Sequence, residues 1–246
     1  MSDIHSLSII ILAGGLGTRI QSSIGNTPKI LALINDKPFI NYLIAWIQSS
    51  FNKMNIEIIL ATSHLHSDIE EYCRSSNLNV RFSYEKKPTG TLGAAYAASK
   101  QSQYDYNLIL NGDTLFELDL NLPFQYHTKE ACPVLVCKVL EERLNNQSTY
   151  GLYEEVDGNL KNITPPISGT QKPLVSLGAL FITKSFLISN IDPFKFNQSK
   201  LMIDHDLIHK LNNCRPYLLP IDSNFIDIGT SKSYSMSHSF IPSLKI

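Results

Sequence analysis

Apolar runs alternate with amphipathic stretches through the first half of the chain. Ser8 to Leu12, Ile56 to Ala61, Val80 to Ser83 and Asn107 to Leu110 are short and mostly apolar, as in buried strands. Between them, Phe39 to Ser50, Ser67 to Ser75 and Leu92 to Lys100 carry a helical pattern. This alternation predicts a doubly wound α/β sheet, parallel at its centre, with right-handed crossovers. The second half changes character. Pro133 to Val139, Tyr150 to Glu154, Leu160 to Thr164 and Leu174 to Ile182 read as strands, separated by turn signals such as Asp157-Gly158-Asn159. They predict a mixed-sheet extension covering the crevice of the first half. Helical signals return at Ile203 to Leu211 and Lys232 to Ser239, and Thr164 to Thr170 reads as an exposed loop. No internal repeat and no linker marks a boundary, so a single domain over 1–246 is expected.

In open α/β sheets, ligands bind at the carboxyl ends of the strands. The first strand ends in Leu12-Ala13-Gly14-Gly15-Leu16-Gly17-Thr18-Arg19, followed by Pro28-Lys29. A glycine-rich turn there lets backbone N–H groups approach phosphates closely, and Arg19 and Lys29 add two cations. Two commoner phosphate loops are excluded. A Walker A loop ends in Gly-Lys-Ser/Thr, which Gly17-Thr18-Arg19 does not supply. The dinucleotide fingerprint needs a third small residue where Ile20 stands, which disfavours an NAD-dependent oxidoreductase. A basic residue inside the loop suits a triphosphate.

Three further segments fall in order. They are Tyr84-Glu85-Lys86-Lys87-Pro88-Thr89-Gly90-Thr91-Leu92-Gly93-Ala94, Asn111-Gly112-Asp113-Thr114 and Phe225-Ile226-Asp227-Ile228-Gly229-Thr230. With the first loop they resemble the signature of the sugar-1-phosphate nucleotidyltransferases, from the first strand almost to the last residues. Chain size, Asn35-Asp36-Lys37-Pro38-Phe39 and the wording around Asp227 are most similar to the bacterial D-glycero-D-manno-heptose 1-phosphate guanylyltransferases. The resemblance implies a Rossmann-like mixed sheet of the GT-A-like type with a small sugar-binding β extension. Residues 1–130 would form the nucleotide-binding half and 131–246 the sugar-binding half. The chain ends shortly after Asp227, so the acetyltransferase domain of some relatives is not expected.

Composition narrows the field. A formal net charge of −1 gives no sign of nucleic-acid or membrane-surface partners. No apolar run approaches the roughly 20 residues of a membrane span, and the N-terminus lacks signal-peptide form. Cys73, Cys132, Cys137 and Cys214 make no C-x-x-C pair and fit reduced thiols in a cytoplasmic protein. His64 and His66 read as a solvated pair. A homo-oligomer is left open.

The implied chemistry is attack by a sugar phosphate oxygen on the α-phosphorus of an NTP, with pyrophosphate leaving. The resemblance carries catalytic roles to Arg19, at the β- and γ-phosphates, and to Lys29, near the α-phosphate. It makes Asp113 and Asp227 ligands of Mg²⁺. Leu12, Ala13, Gly14, Gly15, Gly17, Thr18, Glu85, Pro88, Gly90, Thr91 and Asn111 form the nucleotide side. Gly90 would admit the base; Thr91 could bond the base and also cap the following helix; Asn111 reaches the ribose or holds its loop. Gly151, Ser176, Gly178 and Asp204 form the sugar side. Here Ser176 and Asp204 stand where relatives have Asn and Glu. The Glu-Lys-Pro whose lysine binds the sugar phosphate is missing, as Asn162-Ile163-Thr164-Pro165-Pro166 occupies its place. Lys172, Lys161 or the metal alone could supply the charge. The expected substrates are GTP and D-glycero-α-D-manno-heptose 1-phosphate. Mannose 1-phosphate with GTP, and other sugars with UTP, dTTP or CTP, stay open, as does a silent nucleotide-sugar-binding homologue.

Overall fold

The computed structural model describes residues 6–139, 152–156, 159–162, 173–192, 195 and 199–244. Its strands are β1 (Ser6–Leu12), β2 (Leu33–Ile34), β3 (Lys37–Pro38), β4 (Asn55–Thr62), β5 (Arg81–Tyr84), β6 (Tyr106–Asn111) and β7 (Thr114–Phe116). They continue with β8 (Val134–Val139), β9 (Leu152–Val156), β10 (Asn159–Asn162), β11 (Leu174–Thr183), β12 (Tyr217–Pro220) and β13 (Phe225–Asp227). The helices are α1 (Gln21–Ile24), α2 (Phe39–Ser50), α3 (His66–Ser75), α4 (Thr91–Gln101), α5 (Asn121–Glu130), α6 (Lys184–Asn190), α7 (Ile208–Leu211) and α8 (Ser231–Phe240). A π-helical turn, Ile203–Leu207, leads into α7.

The main sheet runs β10-β9-β11-β6-β1-β4-β5, with β8 on the other edge of β11 and β12 beside β8. β6, β1, β4 and β5 are parallel, and β11 reverses against β6. This is the predicted mixed α/β architecture. Ile9, Ile10 and Ile11 are fully buried because both faces of β1 are covered. α2 contributes one side of the core. Its Trp46 packs edge-on to Phe116, ring centroids 4.7 Å apart, and its indole N–H donates to the Leu118 carbonyl. Among the described residues no helix is long and apolar enough to cross a membrane.

Several elements differ from the sequence expectation. α5 and α6 are not marked by the apolar pattern, and β7 pairs antiparallel with β13 although each has only three residues. His64 is exposed as expected, whereas His66 is only partly so, its side chain 20% exposed. His66 opens α3, bonds Thr62 Oγ1 at 2.9 Å and stacks on Tyr84, because the carboxyl ends of β4 and β5 bring those side chains beside it.

His127 on α5 is buried, with Nδ1 2.5 Å from the Cys132 carbonyl oxygen. A carbonyl can only accept, so Nδ1 carries the proton. Nε2 has no hydrogen-bond partner among the described residues. Burial pushes the His127 pKa below the usual histidine range, and the Cys132 carbonyl offsets this only in part. The unfolded chain therefore binds more protons than the folded one below about pH 6.5. The stability contributed by neutral His127 is complete above that pH and is lost as pH falls toward the depressed folded value. Thermal unfolding should have a lower midpoint at about pH 5.5 than at about pH 7.5. His127→Gln should flatten the difference; an unchanged pH dependence would remove His127 as its source.

Candidate active site

β1 and β6 run side by side so that Leu12 is the register partner of Asn111. Their carboxyl ends open into a cleft of about 560 Å³. The loop from Leu12 through Ala13, Gly14, Gly15, Gly17 and Thr18 to Arg19 forms one wall. Ile20, the residue that breaks the dinucleotide fingerprint, is fully buried and pins this loop; its N–H donates to Gly17. Glu85, Pro88, Gly90 and Thr91 form a second wall, Asn111, Asp113 and Lys29 line the cleft between them, and Ser176, Gly178 and Asp204 lie on the extension side. Residues predicted for two ligand halves thus share one cleft. Gly151 and Lys172 lie outside the described residues.

Lys29 Nζ is 2.8 Å from Asp113 Oδ2, with the two side chains 17% and 28% exposed. Thr114 Oγ1 donates to the other Asp113 oxygen. Asp227 is only 8% exposed and sits just behind the lining. It reaches the site through the β7–β13 ladder, where it pairs with Thr114, and Ile228 N donates to the Asp113 carbonyl at 2.9 Å. Two carboxylates distant in sequence are thereby fixed as neighbours. Gly229 N–H donates to Asp227 Oδ1, orienting the carboxylate. A side chain on Gly229 would come 3.7 Å from an Arg19 guanidinium nitrogen, so Arg19 lies against this same turn.

The sugar-side segment is tied to the nucleotide-side wall by backbone contacts. Leu201 N donates to the Thr89 carbonyl, and Leu92 N donates back to the Leu201 carbonyl. Gly90 has φ +91°, and a Cβ there would strike the Leu201 carbonyl. The close approach that requires glycine at this position is made by the Leu201 backbone. Thr91 is the first residue of α4, whose cap, Gly90, makes no side-chain bond. Its Oγ1 instead accepts from Ile203 N at 3.0 Å and points toward Met202 Sδ. Neither expected role, base contact or cap, describes that bond. Asn111 packs where a Gly178 side chain would stand, which accounts for glycine there at φ +70° and for a bulge in β11. Glu85 accepts from Thr89 Oγ1, so it braces the loop.

Two residues enter that no motif marks. Lys200 lines the cleft next to Leu201, whereas Lys161 is exposed on β10 away from it. Tyr153, fully buried on β9, donates its hydroxyl to Asp204. A lysine in the residues just before the Asp204 segment is the one sequence cue for Lys200. Tyr153 carries none, since an aromatic in a strand reads as core.

The profile of the family described as Nucleotidyl transferase matches residues 8–243. The chain belongs to that family. The D-glycero-alpha-D-manno-heptose 1-phosphate guanylyltransferase of Campylobacter jejuni is 30% identical over 230 residues, 93% of this chain and 97% of the relative. The enzyme of the same name from Aneurinibacillus thermoaerophilus is 38% identical over 124 residues, 49% of this chain and 52% of its own. The crystal structure of HddC from Yersinia pseudotuberculosis superposes with a TM-score of 0.74 at 23% identity, covering 95% of this chain and 99% of that one. The same protein complexed with GMP-PN gives 0.73 at 24%, with the same coverage. At these identities the likeness is one of fold. This nucleotidyltransferase is therefore an enzyme of the sugar-1-phosphate class, with the GT-A-like sheet of its relatives.

Proposed function

We propose that the chain joins GTP to D-glycero-α-D-manno-heptose 1-phosphate, releasing pyrophosphate and forming the GDP-sugar. The observation that carries this choice is the match along nearly the whole chain to the C. jejuni heptose 1-phosphate guanylyltransferase. The HddC complex with GMP-PN supports the guanine nucleotide.

The attacking phosphate is already an anion at neutral pH, so no strong general base is needed. The barrier is repulsion between two polyanions and charge growing on the leaving pyrophosphate. Positioned cations meet both problems. Arg19, on the glycine-rich loop, stabilises the β- and γ-phosphates as they leave. Lys29, held by Asp113, sits at the α-phosphate. Backbone groups of Leu12, Ala13 and Gly14 and the Pro88–Thr91 wall hold the base, and Asp204 accepts from sugar hydroxyls.

The donor set also fits Mg²⁺. Asp227 ends the β7–β13 ladder opposite Thr114, and Asp113, just before Thr114, is tied to it by the bond from Ile228 N to its carbonyl. Mg²⁺ takes one or two carboxylates and completes its shell with phosphate oxygens and water. Bound there, it would neutralise phosphate charge shared between the two substrates.

Lys200 lines the cleft, as Lys161 does not, and is a further candidate for the missing phosphate-binding charge. Lys200→Ala should raise the KM for sugar 1-phosphate about tenfold and leave the KM for NTP nearly unchanged. Lys172→Ala, measured alongside, decides between the two lysines; unaltered kinetics in Lys200→Ala would return the role to Lys172 or to the metal.

The test of the whole reading is a matrix of purified protein with each NTP and a panel of sugar 1-phosphates, monitored by pyrophosphate release. GTP with the heptose 1-phosphate should give the highest kcat/KM. Preference for mannose 1-phosphate, or for UTP, dTTP or CTP, would overturn the substrates and keep the class. Nucleotide-sugar binding without turnover of any pair would identify a silent homologue.

A further inference from the structure

Asp204 is one methylene shorter than the glutamate expected at its position, so its placement has to come from its surroundings. It sits in the π-helical turn Ile203–Leu207, a geometry that recurs at functional sites because the extra residue redirects side chains. Both ends of the segment entering this turn are fixed. Met202 N donates to Asp206 Oδ2 at 2.7 Å, and Ile203 N donates to Thr91 Oγ1. The carboxylate then lines the cleft and accepts the Tyr153 hydroxyl.

Tyr153 is fully buried among Cys137, Leu207, Ile208 and Leu211. Its backbone is held on both sides, by Leu174 of β11 and Asn162 of β10. A phenol so deep in apolar packing needs a hydrogen-bond acceptor, and Asp204 supplies it. Burial, reinforced by the Asp204 charge, pushes the Tyr153 pKa up, so the hydroxyl remains a donor. If Asp204 turned away, the phenol would be left buried and unpaired.

We propose that Tyr153 is a positioning residue for sugar recognition: its buried hydroxyl locks the Asp204 carboxylate at one height in the cleft, where it gauges the hydroxyl groups of the sugar 1-phosphate. The inference rests on the assignment of Asp204 to the sugar half. It gives the shorter acid a function, since a carboxylate pinned by a rigid ring discriminates hydroxyl positions better than a longer, free one.

The test uses the full chain with GTP and D-glycero-α-D-manno-heptose 1-phosphate, or the best pair from the matrix above if that pair is not turned over. Tyr153→Phe keeps the ring and removes the donor. It should raise the KM for sugar 1-phosphate about tenfold, with the KM for NTP within about twofold and kcat within about threefold of wild type. In an Asp204→Ala background the same change should add less than about twofold, because its partner is gone. Asp204→Glu leaves the core untouched and moves the carboxylate; it should show the same sugar-side rise, and keeps the test decisive if Tyr153→Phe does not fold. Wild-type kinetics in Tyr153→Phe or in Asp204→Glu, with Asp204→Ala impaired, would overturn the proposal. So would a loss in Tyr153→Phe that raises both KM values equally. Wild-type kinetics in Asp204→Ala would instead remove Asp204 from the sugar half.

Discussion

Asp113→Asn should lower kcat by about 10²- to 10⁴-fold at saturating substrates while leaving the far-ultraviolet circular dichroism spectrum unchanged. The substitution is nearly isosteric, but Thr114 and Lys29 use separate carboxylate oxygens, and an amide keeps an oxygen acceptor for only one of them. The negative charge is lost as well. Asp113 then neither compensates the Lys29 ammonium nor contributes a carboxylate to Mg²⁺. Asp227→Asn should fall in the same direction, since Asp227 is the neighbouring carboxylate across the β7–β13 ladder. EDTA should abolish wild-type turnover, and added Mg²⁺ should restore it. The Mg²⁺ requirement separates the two roles of Asp113. If Asp113 holds the metal, Asp113→Asn should need at least about tenfold more Mg²⁺ for half-maximal turnover. If it serves only as the counter-charge of Lys29, that requirement stays at the wild-type value. Near-wild-type turnover in Asp113→Asn at saturating Mg²⁺ would exclude Asp113 from the chemistry.

The central sheet was legible because burial on both faces leaves a direct trace in sequence. Ile9-Ile10-Ile11 can only be a covered strand, and parallel pairing follows from the helices between such runs. The cleft was legible for a related reason. The carboxyl-end rule puts the glycine-rich loop and Asn111-Gly112-Asp113 at one edge, where Leu12 is indeed the register partner of Asn111. The β7–β13 ladder was not foreseen as a pair. Three-residue strands carry too little periodicity, and their pairing depends on a chain reversal far away in sequence. Gly90 shows a different limit. Sequence marks the need for glycine without saying what comes close, and the answer is the Leu201 carbonyl. Thr91 and Tyr153 spend their hydroxyls on Ile203 and Asp204, contacts that exist only once the two halves of the chain have folded together.

Arg19→Ala should reduce kcat by about 10²- to 10³-fold with little change in the KM for sugar 1-phosphate. The position of the side chain sets this expectation. The loop that carries it is pinned by buried Ile20 on one side, and the guanidinium rests against the Gly229 turn on the other. Arg19 thus lies beside the Asp227–Gly229 turn, on the loop assigned to the nucleotide. It is exposed, and no ion pair to another described side chain is seen, so its charge is available to a phosphate. Negative charge grows on the β-phosphate as the bond to the α-phosphorus breaks. A fixed guanidinium therefore binds the transition state more strongly than the ground state, which is the condition for an effect on kcat. Arg19→Lys keeps the charge but loses the planar fork, and should recover only part of the loss. The reverse reaction reports on the same contact from the other side. Pyrophosphorolysis of the GDP-sugar by Arg19→Ala should show a raised KM for pyrophosphate. A change confined to the sugar 1-phosphate KM would move Arg19 out of the nucleotide half and leave the leaving group to Lys29 and the metal.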